Sequence, residues 1–124
     1  KPTGYLKLSE SRSVMIYGHH HGFVFTDGKL SGLRICSQII DWKLCNEMKY
    51  DPKWDNRDWA LSNGVHEGMT EKKLEELLGD KLISEGYATF FENTGCIIEL
   101  NFVGISSERG ERTKIIEGIY IRQK

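Results

Sequence analysis

Four histidines are the residues of this chain best suited to acid–base or metal chemistry. His19, His20 and His21 are consecutive, and His66 precedes Glu67. Neighbouring side chains of a β-strand point to opposite faces, so a strand through the run places His19 and His21 on one face and His20 on the other. One hypothesis is a metal-dependent enzyme that uses His19, His21 and His66. The other is that the run, bracketed by two glycines, forms a bend or bulge at the edge of a binding face.

No complete catalytic signature accompanies these histidines. The chain has no Ser-His-Asp order, no nucleophile elbow, no phosphate-binding glycine loop and no His-Glu-x-x-His helix. The adjacent carboxylates of Glu75 and Glu76 lie on a predicted helix surface, where solvation accounts for them. We therefore expect a non-enzymatic protein with no metal and no cofactor.

Aromatic side chains and carboxylates form the second group of candidate functional residues. Tryptophan and tyrosine are enriched at interface hot spots, and carboxylates attract a basic partner. The alternative for each tryptophan is packing in or beside the core. The predicted partner-binding residues are Tyr17, His19, His21, Trp42, Tyr50, Asp51, Trp54, Asp55, Asp58, Trp59 and Phe91.

Charge and composition narrow the classes of partner. The 124 residues include 17 basic and 18 acidic side chains, which gives a formal net charge of −1. Without a basic excess, counterion release contributes little to nucleic-acid binding, so we expect no nucleic-acid partner. No apolar stretch approaches the ~20 residues that span a bilayer, so we expect no membrane span. The partner class that fits is another protein, such as a toxin or an enzyme.

Three cysteines, Cys36, Cys45 and Cys96, allow at most one internal disulfide and form no Cys-x-x-Cys pair. A zinc site or a thioredoxin-type motif is therefore disfavoured. Free cysteine is most often a small buried hydrophobe. This pattern favours the cytoplasm, while a periplasmic or secreted location stays open.

The segment from Val14 to Ile35 predicts a sheet hairpin. Asp27 and Gly28 tolerate the positive φ angles of a tight two-residue turn, and the flanking residues alternate in polarity. Tyr5–Leu8 is predicted to be a short strand before this hairpin.

The second half of the chain predicts a helix followed by antiparallel strands. Thr70 is a suitable N-cap and Gly79 a suitable C-cap for a two-turn helix with an apolar stripe of leucines. Strands are predicted over Tyr87–Glu92, Cys96–Val103 and Ile115–Arg122, with an exposed loop at 104–114. An earlier short helix over Gln38–Met48 and an ordered aromatic loop over Lys49–Asn63 complete the prediction.

Two motifs resemble a known family. The Gly-Met-Thr that opens the helix before Leu-Leu-Gly at 68–79 looks like the repeat unit of the β-lactamase inhibitor protein fold, which small outer-membrane assembly lipoproteins share. The hairpin Phe23–Gly32 is similar to a terminal hairpin of the inhibitor. The resemblance implies a curved antiparallel sheet with helices on its convex side and a concave side that is free to hold another protein.

The predicted fold is therefore α+β: a curved antiparallel sheet of two similar halves, with short helices packed on one face. One domain, 1–124, comprises a sheet unit at 5–36, a helix and aromatic loop at 38–63, and a helix-plus-sheet unit at 68–122. The predicted function is a non-enzymatic module that inhibits or neutralises a partner by occluding its active site, as immunity and inhibitor proteins do. The alternatives are an envelope scaffold protein of the small lipoprotein type and the histidine-dependent metalloenzyme.

Overall fold

One continuous antiparallel sheet dominates this computed structural model, which describes residues 2–35, 49–55 and 58–124. Its eight strands run in the spatial order β1-β2-β3-β4-β8-β7-β6-β5. They are β1 (Gly4–Lys7), β2 (Arg12–Tyr17), β3 (His21–Thr26), β4 (Lys29–Ile35), β5 (Ile83–Glu85), β6 (Ala88–Asn93), β7 (Cys96–Ser106) and β8 (Arg112–Gln123). The described residues also contain helix α1 (Glu71–Leu78) and a 3₁₀ turn at Gly79–Lys81. The predicted helix over Gln38–Met48 lies outside them.

The strand order consists of two four-stranded meanders that meet along their last strands. β4 pairs with β8 in antiparallel register, with Leu33 opposite Ile121 and Ile35 opposite Ile119. This pairing joins segments that are far apart in sequence, so it has no local signal. It builds one sheet where the local patterns predict two hairpin units.

Tight turns close the β3–β4 and β6–β7 hairpins. Asp27 and Gly28 both have positive φ, +51° and +79°, as the predicted turn between β3 and β4 requires. Thr94 and Gly95, with φ of +49° and +80°, turn β6 into β7 in the same way. The short strand β5 is not predicted from the sequence.

Helix α1 begins and ends at the predicted caps. The Thr70 hydroxyl accepts the Lys73 N–H at 3.2 Å, and Gly79 follows the last helical residue with φ of +54°. Leu74 is completely buried and faces the sheet, where it packs with Phe91 and Ile116. The helix therefore covers the β6-β7-β8 part of one sheet face.

Two buried clusters lie on opposite faces of the sheet. The larger one gathers Ile35, Val65, Met69, Leu74, Phe91, Ile98, Leu100, Ile116 and Ile119. The smaller one is Val14, Ile16 and Val24. Phe23 is the cross-strand neighbour of Leu33, and Leu33 packs on the larger cluster, so Phe23 lies on the face of that cluster. Val24 follows Phe23 in the same strand and therefore faces the other side of the sheet. The antiparallel sheet is as predicted, whereas helices confined to one face and two similar halves are not established.

The β7–β8 hairpin extends further than predicted. The ladder continues through Ile105 opposite Thr113 and Ser106 opposite Arg112, so only Ser107–Glu111 forms the connection. The predicted exposed loop over 104–114 is therefore mostly strand. Its polar and charged composition reflects an exposed two-stranded arm, because both faces of these strands are open to water.

Candidate functional site

The histidine run forms the connection between β2 and β3. β2 ends at Tyr17 and β3 begins at His21, so His19 and His20 lie in a tight turn that starts at Gly18. The run is therefore a turn, which agrees with the predicted bend and not with a strand in which His19 and His21 share one face. Gly18 has a φ of +63°, which terminates the strand and reverses the chain.

Asp55 holds this turn in place. Its Oδ1 accepts the backbone N–H of His19 at 2.6 Å, and its Oδ2 accepts the backbone N–H of Asp51 at 2.5 Å. The Asp55 side chain is only 10% exposed. Charge-assisted bonds to backbone donors in such a setting are strong, so one carboxylate joins the β2–β3 turn to the loop at 51–55.

The loop at 51–55 is a compact turn in its own right. The Asp51 carbonyl accepts the N–H groups of Trp54 and Asp55 at 2.9 and 2.8 Å, and the Asp51 carboxylate accepts the Lys53 N–H at 3.0 Å. Pro52 suits the second position of such a turn because its φ is already fixed. The turn sets the direction in which Trp54 projects.

Gly18 is required by the close approach of this carboxylate. A Cβ at position 18 would lie 2.5–2.7 Å from the carboxylate atoms of Asp55. On the other side of the same turn, the Thr3 hydroxyl donates to the Gly18 carbonyl at 2.7 Å. The turn is thus held from both the N-terminal segment and the aromatic loop.

Two histidines of the turn contact the loop through their rings. His19 is buried and stacks on Tyr50, with ring centroids 3.8 Å apart and planes within 10°. His20 Nε2 lies 3.9 Å from Asp55 Oδ1. These contacts place the run inside a packed corner rather than on an open metal-binding face.

His21 is the one described group whose pKa is clearly perturbed. Burial lowers its pKa below the ordinary value of 6.5, a hydrogen bond with the Trp54 backbone opposes that shift, and the neighbouring His20 adds to it. Its Nδ1 is buried without a hydrogen-bond partner among the described residues. The neutral imidazole is therefore the form that the folded protein favours.

Trp54 lies at one end of an open groove that we call the aromatic groove. Its ring contacts Tyr17 at 4.9 Å between centroids, the edge of His21 at 5.5 Å and Phe23 at 6.2 Å. The groove has a volume of about 220 Å³ and is lined by Met15, Tyr17, Phe23, Phe25, Leu30 and Trp54. A second apolar hollow of about 230 Å³ shares Phe23 and Leu30 and extends to Leu33, Cys96 and Ile121.

The aromatic groove lies on the same sheet face as α1, but on the part that α1 does not cover. Met15, Phe23 and Leu33 are cross-strand neighbours on that face, and Leu33 leads directly to Ile121. Leu30 is 52% exposed at the rim. A row of apolar side chains thus runs from β2 towards β8 in contact with solvent.

A cation lies beside this groove: the Lys53 ammonium is 5.9 Å from the centre of the Trp54 ring. Lys29, Arg122 and Arg12 line a different cavity with Tyr120, and strand alternation places that cavity on the opposite face of the sheet, the face of Val14. In contrast, the Asp55 carboxylate is directed inward to backbone donors. The groove therefore presents apolar surface, with the Lys53 ammonium at its Trp54 end.

The structure separates the predicted partner-binding residues. Phe91 is 2% exposed and belongs to the core, and Trp59 packs against that core with its Nε1 buried and unbonded among the described residues. Asp58 is exposed after the described loop. Trp42 lies outside the described residues. The other predicted partner-binding residues meet at one corner of the sheet, and they are Tyr17, His19, His21, Tyr50, Asp51, Trp54 and Asp55.

Sequence reasoning missed the floor of the groove. Phe23 and Phe25 share a face by strand alternation, which was a usable signal, and Met15 joins them through the β2–β3 register. Leu30 reaches the groove because β4 has an irregularity where Val24 and Phe25 pair with Gly32 and Leu30. That shift in register has no sequence signature.

His66 is not brought to the histidine turn as a metal ligand. It is exposed and pairs with Ala60 in an isolated antiparallel bridge, and its Nδ1 lies 2.8 Å from the Glu67 carbonyl oxygen. Across residues 2–35, 49–55 and 58–124, no three histidine, cysteine or acidic side chains are grouped for metal binding. Cys96 is a free, half-buried thiol, whereas Cys36 and Cys45 lie outside the described residues.

Comparisons with known proteins supply no relative from which a function could be transferred. No protein-family model, curated protein or solved structure matches the chain. The resemblance to the β-lactamase inhibitor fold therefore stays a prediction. In the described part of the chain, no helix has the length and apolar character needed to cross a membrane.

Proposed function

We propose that this protein is a non-enzymatic protein-binding module that neutralises a toxin or an enzyme by covering its active site. The observation that carries the proposal is the aromatic groove, with Trp54 fixed at one end and Leu30 exposed at the other. An exposed apolar groove with an aromatic anchor is the kind of surface that forms interface hot spots.

The anchoring of Trp54 supports this role. The Asp51–Asp55 turn is fixed by backbone hydrogen bonds and by the Asp55 carboxylate, so the indole is held against Tyr17 and Phe23 before any partner arrives. A pre-organised side chain loses little conformational entropy on binding, which leaves more of the contact energy as affinity.

The charges around the groove indicate the chemistry of the partner. The Lys53 ammonium lies beside the Trp54 ring, whereas Asp55 is committed to internal hydrogen bonds. We therefore expect an apolar projection on the partner with an acidic group beside it, not the basic surface that the acidic loop suggests from sequence. Complementary charge at the rim would raise the association rate and make it sensitive to salt.

The test is a binding measurement with the proteins encoded beside this gene, because inhibitors and immunity proteins are commonly encoded next to their targets. Calorimetry should give a stoichiometric complex with one neighbouring product, and that product should lose its activity when bound. Trp54→Ala should weaken the complex by about 30-fold or more, as expected of a hot-spot residue. Tyr87→Ala removes a fully exposed aromatic far along the sheet and should change affinity by less than about 3-fold.

Two results would overturn the proposal. One is the absence of a stoichiometric complex with any neighbouring product. The other is a complex whose affinity is the same for Trp54→Ala and the wild type, with circular dichroism showing that the variant is folded.

A further inference from the structure

The β7–β8 arm is paired on its β8 side at Ile116 and, among the described residues, has a longer unpaired stretch on its β7 side. On the β8 side, Ile116 donates its N–H to the Met69 carbonyl at 2.8 Å and accepts the Gly68 N–H at 2.9 Å. On the β7 side, β6 pairs only as far as Thr89 opposite Leu100. Within the part of the chain that the structure describes, no strand pairs with the outer edge of β7 beyond that point.

The register shows which backbone groups face outward from β7. Ile116 directs its N–H and C=O away from β7, so its cross-strand neighbour Phe102 also points away from β8. At the other end, Ser107 donates its N–H to the Glu111 carbonyl at 2.8 Å and therefore points towards β8. Alternation then directs the N–H and C=O of Phe102, Gly104 and Ser106 to the open edge.

We infer that this edge is a homodimer interface, in which β7 of a second copy pairs antiparallel with β7 around a two-fold axis through Gly104. The outward groups are arranged symmetrically about Gly104, so Gly104 meets its own equivalent and Phe102 meets Ser106 of the second copy. Each of these pairs exchanges two N–H···O bonds. An isologous contact of this kind closes on itself.

The side chains between these positions are complementary in the same arrangement. Phe102 packs on the core, so Val103 and Ile105 project from the opposite face, where they are 42% and 49% exposed. In the two-fold register, Val103 lies opposite Ile105 of the second copy. β-branched pairs across antiparallel strands are favourable, and the pairing removes two exposed apolar groups per chain from water.

The space beside the edge fits the length of such a strand. The free edge starts just beyond Leu100, where β6 ends its pairing, and β7 itself ends at Ser106 before the turn. The second copy would therefore turn away just where β6 begins. A cavity of about 490 Å³, lined by Tyr87, Thr89, Phe102 and Gly104 among others, lies at that place.

This inference is independent of the aromatic groove, and its test is direct. Because the contact is short, we expect weak, concentration-dependent association in sedimentation equilibrium of the full chain. Ile105→Lys should weaken the association at least 10-fold, since a lysine on an edge strand opposes pairing. The control Ile83→Lys, at an exposed isoleucine of β5, should leave it unchanged.

Cysteine cross-linking tests the register. No atom lies within 4 Å of a Cβ built at Gly104, so Gly104→Cys fits the fold. Hydrogen-bonded partners have Cα atoms about 5.5 Å apart, within disulfide range, so this variant should form a disulfide-linked dimer. Ser106→Cys should not, because its equivalents would be about 13 Å apart. A chain that stays monomeric to near-millimolar concentration, or equal cross-linking of the two variants, would overturn the inference.

Discussion

The carboxylate of Asp55 lies 2.6 Å from the backbone nitrogen of His19, across 36 residues of sequence. This contact fixes the turn that ends β2 and, through the same side chain, the loop that carries Trp54. Asp55 is therefore the positioning residue of the candidate site, and its loss should affect both elements together.

Asp55→Ala should destabilise the fold by about 2–4 kcal/mol, because two backbone donors lose a charged acceptor in a mostly buried place. Urea unfolding monitored by circular dichroism measures this change. Asp80→Ala, at an exposed position, is the matched control and should stay within about 0.5 kcal/mol of the wild type. Equal stability of Asp55→Ala and the wild type would contradict the role of the contact.

Gly18→Ala should cost more stability than Gly28→Ala. Both glycines have positive φ, so each alanine costs about 1–2 kcal/mol from backbone strain. Only at Gly18 does the new Cβ also collide with Asp55, whereas nothing lies within 4 Å of a Cβ at Gly28. In a double-mutant cycle with Asp55→Ala, the Gly18 effect should become smaller. Additive effects would show that the collision has no energetic consequence.

Stability should fall as the pH drops from about 6.5 towards the lowered pKa of His21. The folded state holds this imidazole neutral, whereas the unfolded state takes up a proton near the ordinary value of 6.5. The contribution is therefore fully present above pH 6.5 and is lost at lower pH. Urea midpoints measured across this range should decline less for His21→Phe than for the wild type. His66→Phe, at an exposed histidine, should retain the wild-type slope.

Leu74→Ala should destabilise the protein by about 2–5 kcal/mol, because it opens a cavity between α1 and the sheet. Leu74 is fully buried, whereas Leu77 on the same helix is 47% exposed. Leu77→Ala should therefore cost less than about 1 kcal/mol. Thermal or urea unfolding of the two variants measures these changes in the free energy of unfolding. Similar losses of stability for Leu74→Ala and Leu77→Ala would contradict the packing described for α1.

Local signals in the sequence predicted the elements that depend on a few neighbouring residues. The Asp27-Gly28 turn, the Thr70 cap and the Gly79 cap follow from backbone preferences of those residue types, and the structure confirms all three. The histidine run has no comparable preference for strand or turn. Its conformation depends on Asp55, so the sequence alone left a strand and a bend as alternatives there.

In the candidate site, too, some features follow from the residue types and others depend on tertiary contacts. Tyr17, Trp54 and the carboxylates are recognisable as functional types in the sequence, and several of them do meet at one corner. Phe91 is of the same type but is buried, because β6 places it on the face covered by α1. Which face a side chain occupies depends on strand register, and a shift of one residue reverses it.

The sequence by itself determined an antiparallel hairpin architecture, the capped helix and the absence of a complete catalytic signature, because each of these is encoded within a short window. Only the tertiary structure decided the β4–β8 pairing, the inward direction of Asp55, the aromatic groove and the open edge of β7. These features arise from contacts between distant segments. Their geometry depends on the register and faces of the complete sheet, which no single segment specifies.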